Sequence, residues 1–98
     1  MPEVRQSDVY STWFSKLKDQ NAQSRILVRL RRLELGNQGD VRAVGEGVSE
    51  IRVNYGPGYR VYYINRGNTV IILLCGGDKS TQDDDIKTAK QMASEIKE

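Results

Sequence analysis

Apolar positions along the chain change their period near Gly39. Before that point they recur at helical spacing. Val9, Trp13, Phe14 and Leu17 form one stripe, with Lys16, Lys18 and Asp19 outside it, so a first helix is predicted, capped by Ser7 or Asp8. Residues 3–6 ahead of it are short enough for an edge strand. Asp19-Gln20-Asn21 gives a turn and a cap, and a second helix follows from about Ala22. Its stripe is Ala22, Ile26, Leu30 and Leu33, with Gly36 just beyond its end. The short connection predicts an antiparallel hairpin of these two helices.

After Gly39 the period falls to two. Val41 to Val44 is a short strand candidate, and Gly45-Glu46-Gly47 a turn. Val48 to Tyr55 alternates: Ser49, Ile51, Val53 and Tyr55 face one way, and Val48, Glu50, Arg52 and Asn54 the other. Gly56-Pro57-Gly58 turns the chain into a second alternating strand, Tyr59 to Asn65. Arg66-Gly67-Asn68 makes the next hairpin. Thr69 to Cys75 is apolar on both faces, the pattern of a central strand covered on both sides. A last helix, capped by Ser80 or Thr81, carries Asp83, Asp84 and Asp85 in its first turn and Ile86, Ala89, Ala93 and Ile96 on its apolar stripe. The predicted order is (β)ααββββα. This is an α+β fold of one domain over residues 1–98: a helical hairpin packed on a mainly antiparallel sheet of four to five strands, then a C-terminal helix.

Composition narrows the chemistry. The chain has no histidine and one cysteine, which removes histidine-based catalysis and leaves almost no ligands for zinc. No metal and no cofactor are expected. The longest apolar run, Val70 to Cys75, has six residues, far short of the roughly 18–20 that span a bilayer, so no membrane association is expected. Met1 to Arg5 hold no apolar signal region, and a single cysteine fits a reducing compartment; a cytoplasmic location is expected. Net charge is +2, distributed unevenly: residues 1–76 hold 11 Lys/Arg against 7 Asp/Glu, and residues 77–98 hold 4 against 6. A mildly basic body with an acidic end permits nucleic-acid binding without requiring it.

Several apparent motifs fail on inspection. Gly76-Gly77-Asp78-Lys79-Ser80-Thr81 has Asp78 where a Walker motif requires the glycine before its lysine. Gly45-Glu46-Gly47-Val48-Ser49-Glu50 breaks the dinucleotide fingerprint at Glu50. Asp83-Asp84-Asp85 lacks the spacing of a calcium loop and suits a helix start. Cys75 and Trp13 read as packing residues. What remains is polar: Glu50 and Arg52 share a face of one strand, and Arg60 and Tyr62 share a face of the next. Tyr59, Val61 and Tyr63 point the opposite way, into the core. A hairpin at Gly56-Pro57-Gly58 sets Glu50, Arg52, Arg60 and Tyr62 side by side, with Lys79 near the rim. Two readings stand: a solvated face with cross-strand ion pairs, or a concave site for an anionic ligand.

These residues resemble those of RelE/ParE-superfamily toxins of bacterial type II toxin–antitoxin systems, in particular the phage-associated addiction-module killer proteins. The resemblance rests on Gly39-Asp40-Val41, on Val44-Gly45-Glu46-Gly47-Val48-Ser49-Glu50-Ile51-Arg52, on Gly56-Pro57-Gly58-Tyr59-Arg60-Val61-Tyr62, and on Leu74-Cys75-Gly76-Gly77-Asp78-Lys79-Ser80-Thr81-Gln82. It implies one of two activities. RelE-like members cut mRNA on the ribosome; ParE-like members inhibit DNA gyrase without cleaving anything. It also implies a cognate antitoxin encoded alongside, of the helix-turn-helix DNA-binding kind. By position Arg60 corresponds to the arginine that contacts the scissile phosphate in RelE, Lys79 to a basic residue after the central strand, and Arg52 to one of two strand lysines. Glu50 takes the place of the other lysine. The catalytic tyrosine of RelE has no counterpart, since Asp83, Asp84, Asp85 and Ile86 occupy that region. The expected scheme is metal-independent attack by a 2′-hydroxyl. Arg60 and Lys79 hold the phosphate, Arg52 clamps charge, Glu50 or else Glu46 acts as base, and Tyr62 donates to the leaving group or stacks on a base. Arg25, Arg29, Arg31 and Arg32 are candidate contacts to ribosomal RNA.

Overall fold

The structure, a computed structural model, describes residues 2–96. Strand β1 (Glu3–Gln6) leads into α1 (Asp8–Ser15) and α2 (Gln20–Glu34). Strands β2 (Val41–Gly45), β3 (Val48–Val53), β4 (Tyr59–Arg66) and β5 (Val70–Gly77) follow, then a 3-10 turn (Lys79–Thr81) and α3 (Gln82–Glu95). The predicted element order is the observed one. The sheet runs β1-β5-β4-β3-β2; β1 lies parallel to β5 and every other pair is antiparallel. Helices α1 and α2 pack on one face, against β5 and β3, and α3 covers the other.

Each face has its own core. Under α1 and α2 lie Tyr10, Ile26, Leu30, Leu33, Ile51, Val53, Val61, Tyr63, Ile71 and Leu73. Under α3 lie Val48, Tyr62, Leu74, Cys75 and Ala89. Strand alternation divides β3 and β4 between the two as the sequence predicts. On β5 an irregularity intervenes: Tyr62 pairs with Cys75 but Tyr63 with Leu73, so Leu74 is the extra residue of a bulge. Leu74 and Cys75 consequently both face α3. Ser7 fastens α1 to this irregularity. Its hydroxyl donates to the Leu74 carbonyl at 2.6 Å and accepts from the Tyr10 amide at 3.0 Å.

Two predicted details change. Val9 is half-exposed, and Tyr10 takes its place as the buried member of α1. The stripe that meets the sheet is Tyr10, Trp13, Phe14 and Leu17, a complete i, i+3, i+4, i+7 set. Ahead of α3, Thr81 holds the N-cap position as expected, but the capping bonds begin earlier. Asp78 accepts from the Ser80 amide at 2.8 Å and starts the 3-10 turn, while Thr81 makes no side-chain cap bond to α3. On α2, by contrast, Asp19 caps and Ala22, Ile26, Leu30 and Leu33 are buried as expected.

Candidate functional site

Register places the polar residues of β2, β3 and β4 in two adjacent rows. Arg42, Glu50 and Tyr62 stand opposite one another in one row; Arg52, Arg60 and Gly77 form the next. Two guanidiniums directly across a strand pair repel, and each finds a carboxylate. Arg52 turns outward to Asp40, its Nε and Nη2 at 3.2 and 3.0 Å from Oδ1. Arg60 turns inward. Its Nε lies 3.6 Å from Glu50 Oε2, and its Nη1 donates to the Gly58 carbonyl at 2.7 Å.

Glu50 is the centre of this arrangement and is fully buried. Arg60 reaches it as an ion pair, its Nε making no hydrogen bond, and the carboxylate accepts from Tyr62 Oη and Gln82 Nε2, both at 2.9 Å, and from Arg42 Nη2 at 3.3 Å. A buried carboxylate needs this many donors to offset its lost hydration. The expectation that Glu50 acts as base on a substrate is therefore corrected, because neither oxygen reaches solvent. Tyr62 is corrected for the same reason. It too is fully buried, and burial together with the Glu50 carboxylate pushes its phenol far above the ordinary tyrosine range. Glu46 lies at the wrong end. It occupies the β2–β3 turn with φ 55°, exposed, one full strand length from the β3–β4 turn.

What faces solvent is a groove of about 360 Å³ lined by Asp40, Arg52, Asn54, Gly56-Pro57-Gly58, Tyr59, Arg60 and Lys79. Arg60 is only 9 % exposed, so its guanidinium enters the groove from the wall. Lys79 is exposed and makes no ion pair among the described residues. Gly58 allows the two cations to meet here. Its φ is +81°, and a Cβ would fall 3.1 Å from Arg60 Nη1 and 3.5 Å from Lys79 Cβ. Asp78 sits beside the groove with its carboxyl held below the usual range, chiefly by the Ser80 hydroxyl. Asp40 is the one carboxylate in the lining, and Arg52 occupies it. The lining therefore carries Arg52, Arg60 and Lys79 against the single carboxylate of Asp40. Among the described residues no three His, Cys, Asp or Glu side chains group to hold a metal ion.

The α2 arginines divide. Arg29 donates to the Gln38, Asp40 and Arg52 carbonyls, which anchors its half-buried guanidinium to the backbone. Arg31 pairs with Glu34. Arg25 stacks over the Tyr55 ring, 4.5 Å from its centroid, and Arg32 is exposed. Sequence reasoning misses Asp40, Arg42, Gln82 and Gly58 as parts of the site. Arg42 has a signal in the β2 alternation, and Gly58 in the turn; Gln82 has none.

The architecture and groove define a small α+β domain with a cationic cleft at one sheet end. Comparison with known proteins agrees with a named group: residues 12–98 match the family described as phage derived protein Gp49-like (DUF891). The chain belongs to that family. It is also 47 % identical over 94 residues to an uncharacterized protein of Haemophilus influenzae, covering 96 % of this chain and 95 % of that one. No helix among the described residues is long and apolar enough to cross a membrane.

Proposed function

We propose that this protein is the toxin of a type II toxin–antitoxin module and stops translation by cleaving mRNA on the ribosome. The Gp49-like family is part of the RelE/HigB-like toxin superfamily, and Asp40, Arg52, Gly56-Pro57-Gly58, Tyr59, Arg60 and Lys79, all from the motifs that carry the resemblance, line the groove. The observation that carries the reading is Arg60: a guanidinium almost wholly in the wall, fixed by Glu50 and Gly58, facing a free Lys79 across an open anion site.

In this scheme the scissile phosphodiester lies between Arg60 and Lys79. The neighbouring 2′-hydroxyl attacks phosphorus, the bond to the 5′-oxygen breaks, and that oxygen leaves with a proton. The products are a 2′,3′-cyclic phosphate and a 5′-hydroxyl. Both cations stabilise the extra charge on the crowded phosphate, a contribution that commonly exceeds proton transfer. With Glu50 and Tyr62 buried, the one carboxylate of the groove is Asp40, already paired with Arg52, so positioning and charge stabilisation carry most of the rate. Ribosomal delivery supplies the positioning. The partners are the ribosome, mRNA and an antitoxin; the compartment is the cytoplasm.

That lack of an unpaired carboxylate favours one second reading, a non-enzymatic ParE-like inhibitor of DNA gyrase. Primer extension on a reporter mRNA in cell-free translation separates the two. Cuts inside translated codons, absent without ribosomes and reduced at least tenfold by Arg60→Lys and by Lys79→Ala, are expected. Full-length mRNA with translation intact rejects cleavage and moves gyrase inhibition to first place.

A further inference from the structure

A second cavity of about 310 Å³ lies beside α2 and shares Val53 and Asn54 with the groove, so the two adjoin. Together their linings hold six cations (Arg25, Arg29, Arg32, Arg52, Arg60 and Lys79) against one carboxylate, Asp40. In a chain of net charge +2, this is a concentrated field, and Arg52 already answers Asp40. Arg25 and Arg32 form no ion pair among the described residues. The stack on Tyr55 holds Arg25 in place. The exposed apolar part of the lining is Val28, 48 % exposed, while Val53 is buried. Arg29 has its guanidinium bound to backbone carbonyls.

We propose that this cavity is a nucleotide subsite for single-stranded RNA, holding the residue adjacent to the phosphate gripped by Arg60 and Lys79. The proposal rests on the groove being an RNA site. Val28 offers an exposed apolar surface to the flat face of an unpaired base, and Asn54 and Ser24 offer hydrogen bonds to its edge. Arg25 and Arg32 take the flanking phosphates. An apolar surface among cations suits a splayed base and not a duplex, whose bases are stacked inside. An acidic protein segment would satisfy the arginines of this cavity, but it would not need the polar, glycine-walled groove that adjoins it. A polyanion with regularly spaced charges uses both.

The test is fluorescence anisotropy of a labelled hexaribonucleotide, 2′-O-methylated throughout so that it cannot be cut, titrated with the intact chain over a salt series. Arg25→Ala/Arg32→Ala is expected to weaken binding at least tenfold at 50 mM salt. It should also lower the slope of log K against log salt by about 1.4, since every phosphate of a single strand that a protein neutralises adds about 0.7 to that slope. Val28→Asn should weaken binding and leave the slope unchanged. A dinucleotide, which carries the gripped phosphate and none of the flanking ones, should bind the double variant and the wild type alike. All three positions tolerate polar side chains at the surface, and circular dichroism confirms folding. Unchanged hexamer binding by the double variant, with Lys79→Ala weakened, overturns the subsite and leaves the groove reading intact. No hexamer binding by wild type at 50 mM salt overturns the subsite, while primer extension still decides the groove. Loss of affinity for an acidic helical peptide, with hexamer affinity unchanged, overturns it in favour of a protein partner.

Discussion

Glu50 holds Arg60 by its Nε, 3.6 Å away, and does so without any exposure of its own. The carboxylate is thus not a reagent at the groove but the fixture that aims its guanidinium. The same carboxylate binds Gln82 at the start of α3 and Arg42 on the edge strand, so three elements converge on it.

Removing one partner of a buried, hydrogen-bonded charge pair typically costs about 3–5 kcal/mol, because the other charge is left without compensation. Glu50→Ala is expected to fall in that range in urea unfolding, with the slope against denaturant unchanged. Arg42→Ala should cost under about 1 kcal/mol, since its side chain is 52 % exposed and solvent screens the pair. Equal costs for the two variants would mean that Glu50 depends on Arg42 rather than on Arg60. For the same reason Arg60→Lys, which keeps the charge and loses the fork, probes the groove better than Arg60→Ala.

Gly76 faces the ring of Trp13 so closely that a Cβ would lie inside the ring's van der Waals envelope. Trp13 also packs edge-on to Tyr59, 6.4 Å between centroids, and Tyr59 lines the groove. Gly76→Ala should destabilise by about 1–3 kcal/mol, the usual cost of overpacking. Trp13→Leu makes room for the added methyl, so the double variant Trp13→Leu/Gly76→Ala should be more stable than the sum of the single changes predicts. Simple additivity in a thermal-unfolding cycle would show that the ring is not what the methyl meets.

Cys75 is buried under α3, and burial, with Asp85 nearby, pushes its thiol up to about 12. The thiolate is the reactive form. In the folded protein a thiol-labelling reagent at pH 8 should modify Cys75 at least a hundredfold more slowly than in 6 M guanidinium chloride. Rapid labelling of the folded chain would mean that α3 opens away from β5 on the labelling timescale.

The pattern of positions is enough to recover the fold wherever a stripe is long. Ala22, Ile26, Leu30 and Leu33 span three turns of α2, and Ile51, Val53, Val61 and Tyr63 alternate without interruption. The same alternation brings Glu50, Arg52, Arg60 and Tyr62 together. It does not reveal that Glu50 and Tyr62 are covered. Alternation assigns a residue to a face of the sheet, while cover depends on where α3 lands, a tertiary matter with no local signature. Val9 and Tyr10 are hard to tell apart because α1 has only eight residues, too few for one apolar neighbour to break the stripe. Glu46 is close to Glu50 in sequence, but an extended strand carries the two apart at roughly 3.3 Å per residue. The anchoring of Arg29 leaves no mark in the sequence because its partners are backbone carbonyls, which have no residue type to recognise.

Asp85 joins the rim of the groove to pH. It lies over Gly77, the residue opposite Arg60 on β5, and its Oδ2 accepts from the Thr81 hydroxyl at 2.6 Å. Partial burial raises its pKa above the ordinary carboxyl value; Thr81 opposes that shift, and Asp78 and Asp84 add to it. A carboxyl that binds its proton more tightly in the folded state than in the unfolded one favours folding at low pH. That advantage is lost as pH rises through the folded pKa. At pH 7 the ionised Asp85 is therefore a net cost, offset in part by the positive end of α3. Asp85→Asn keeps an oxygen for Thr81 and cannot ionise. It should unfold at a higher temperature than wild type at pH 7, and its advantage should shrink as pH falls through the raised pKa of the folded state and be gone below about 4, where the wild-type carboxyl is protonated in both states. Differential scanning calorimetry of both proteins from pH 3 to 7 measures that gap directly. An advantage that instead grows towards acid pH would mean that Asp85 is stabilised as the anion.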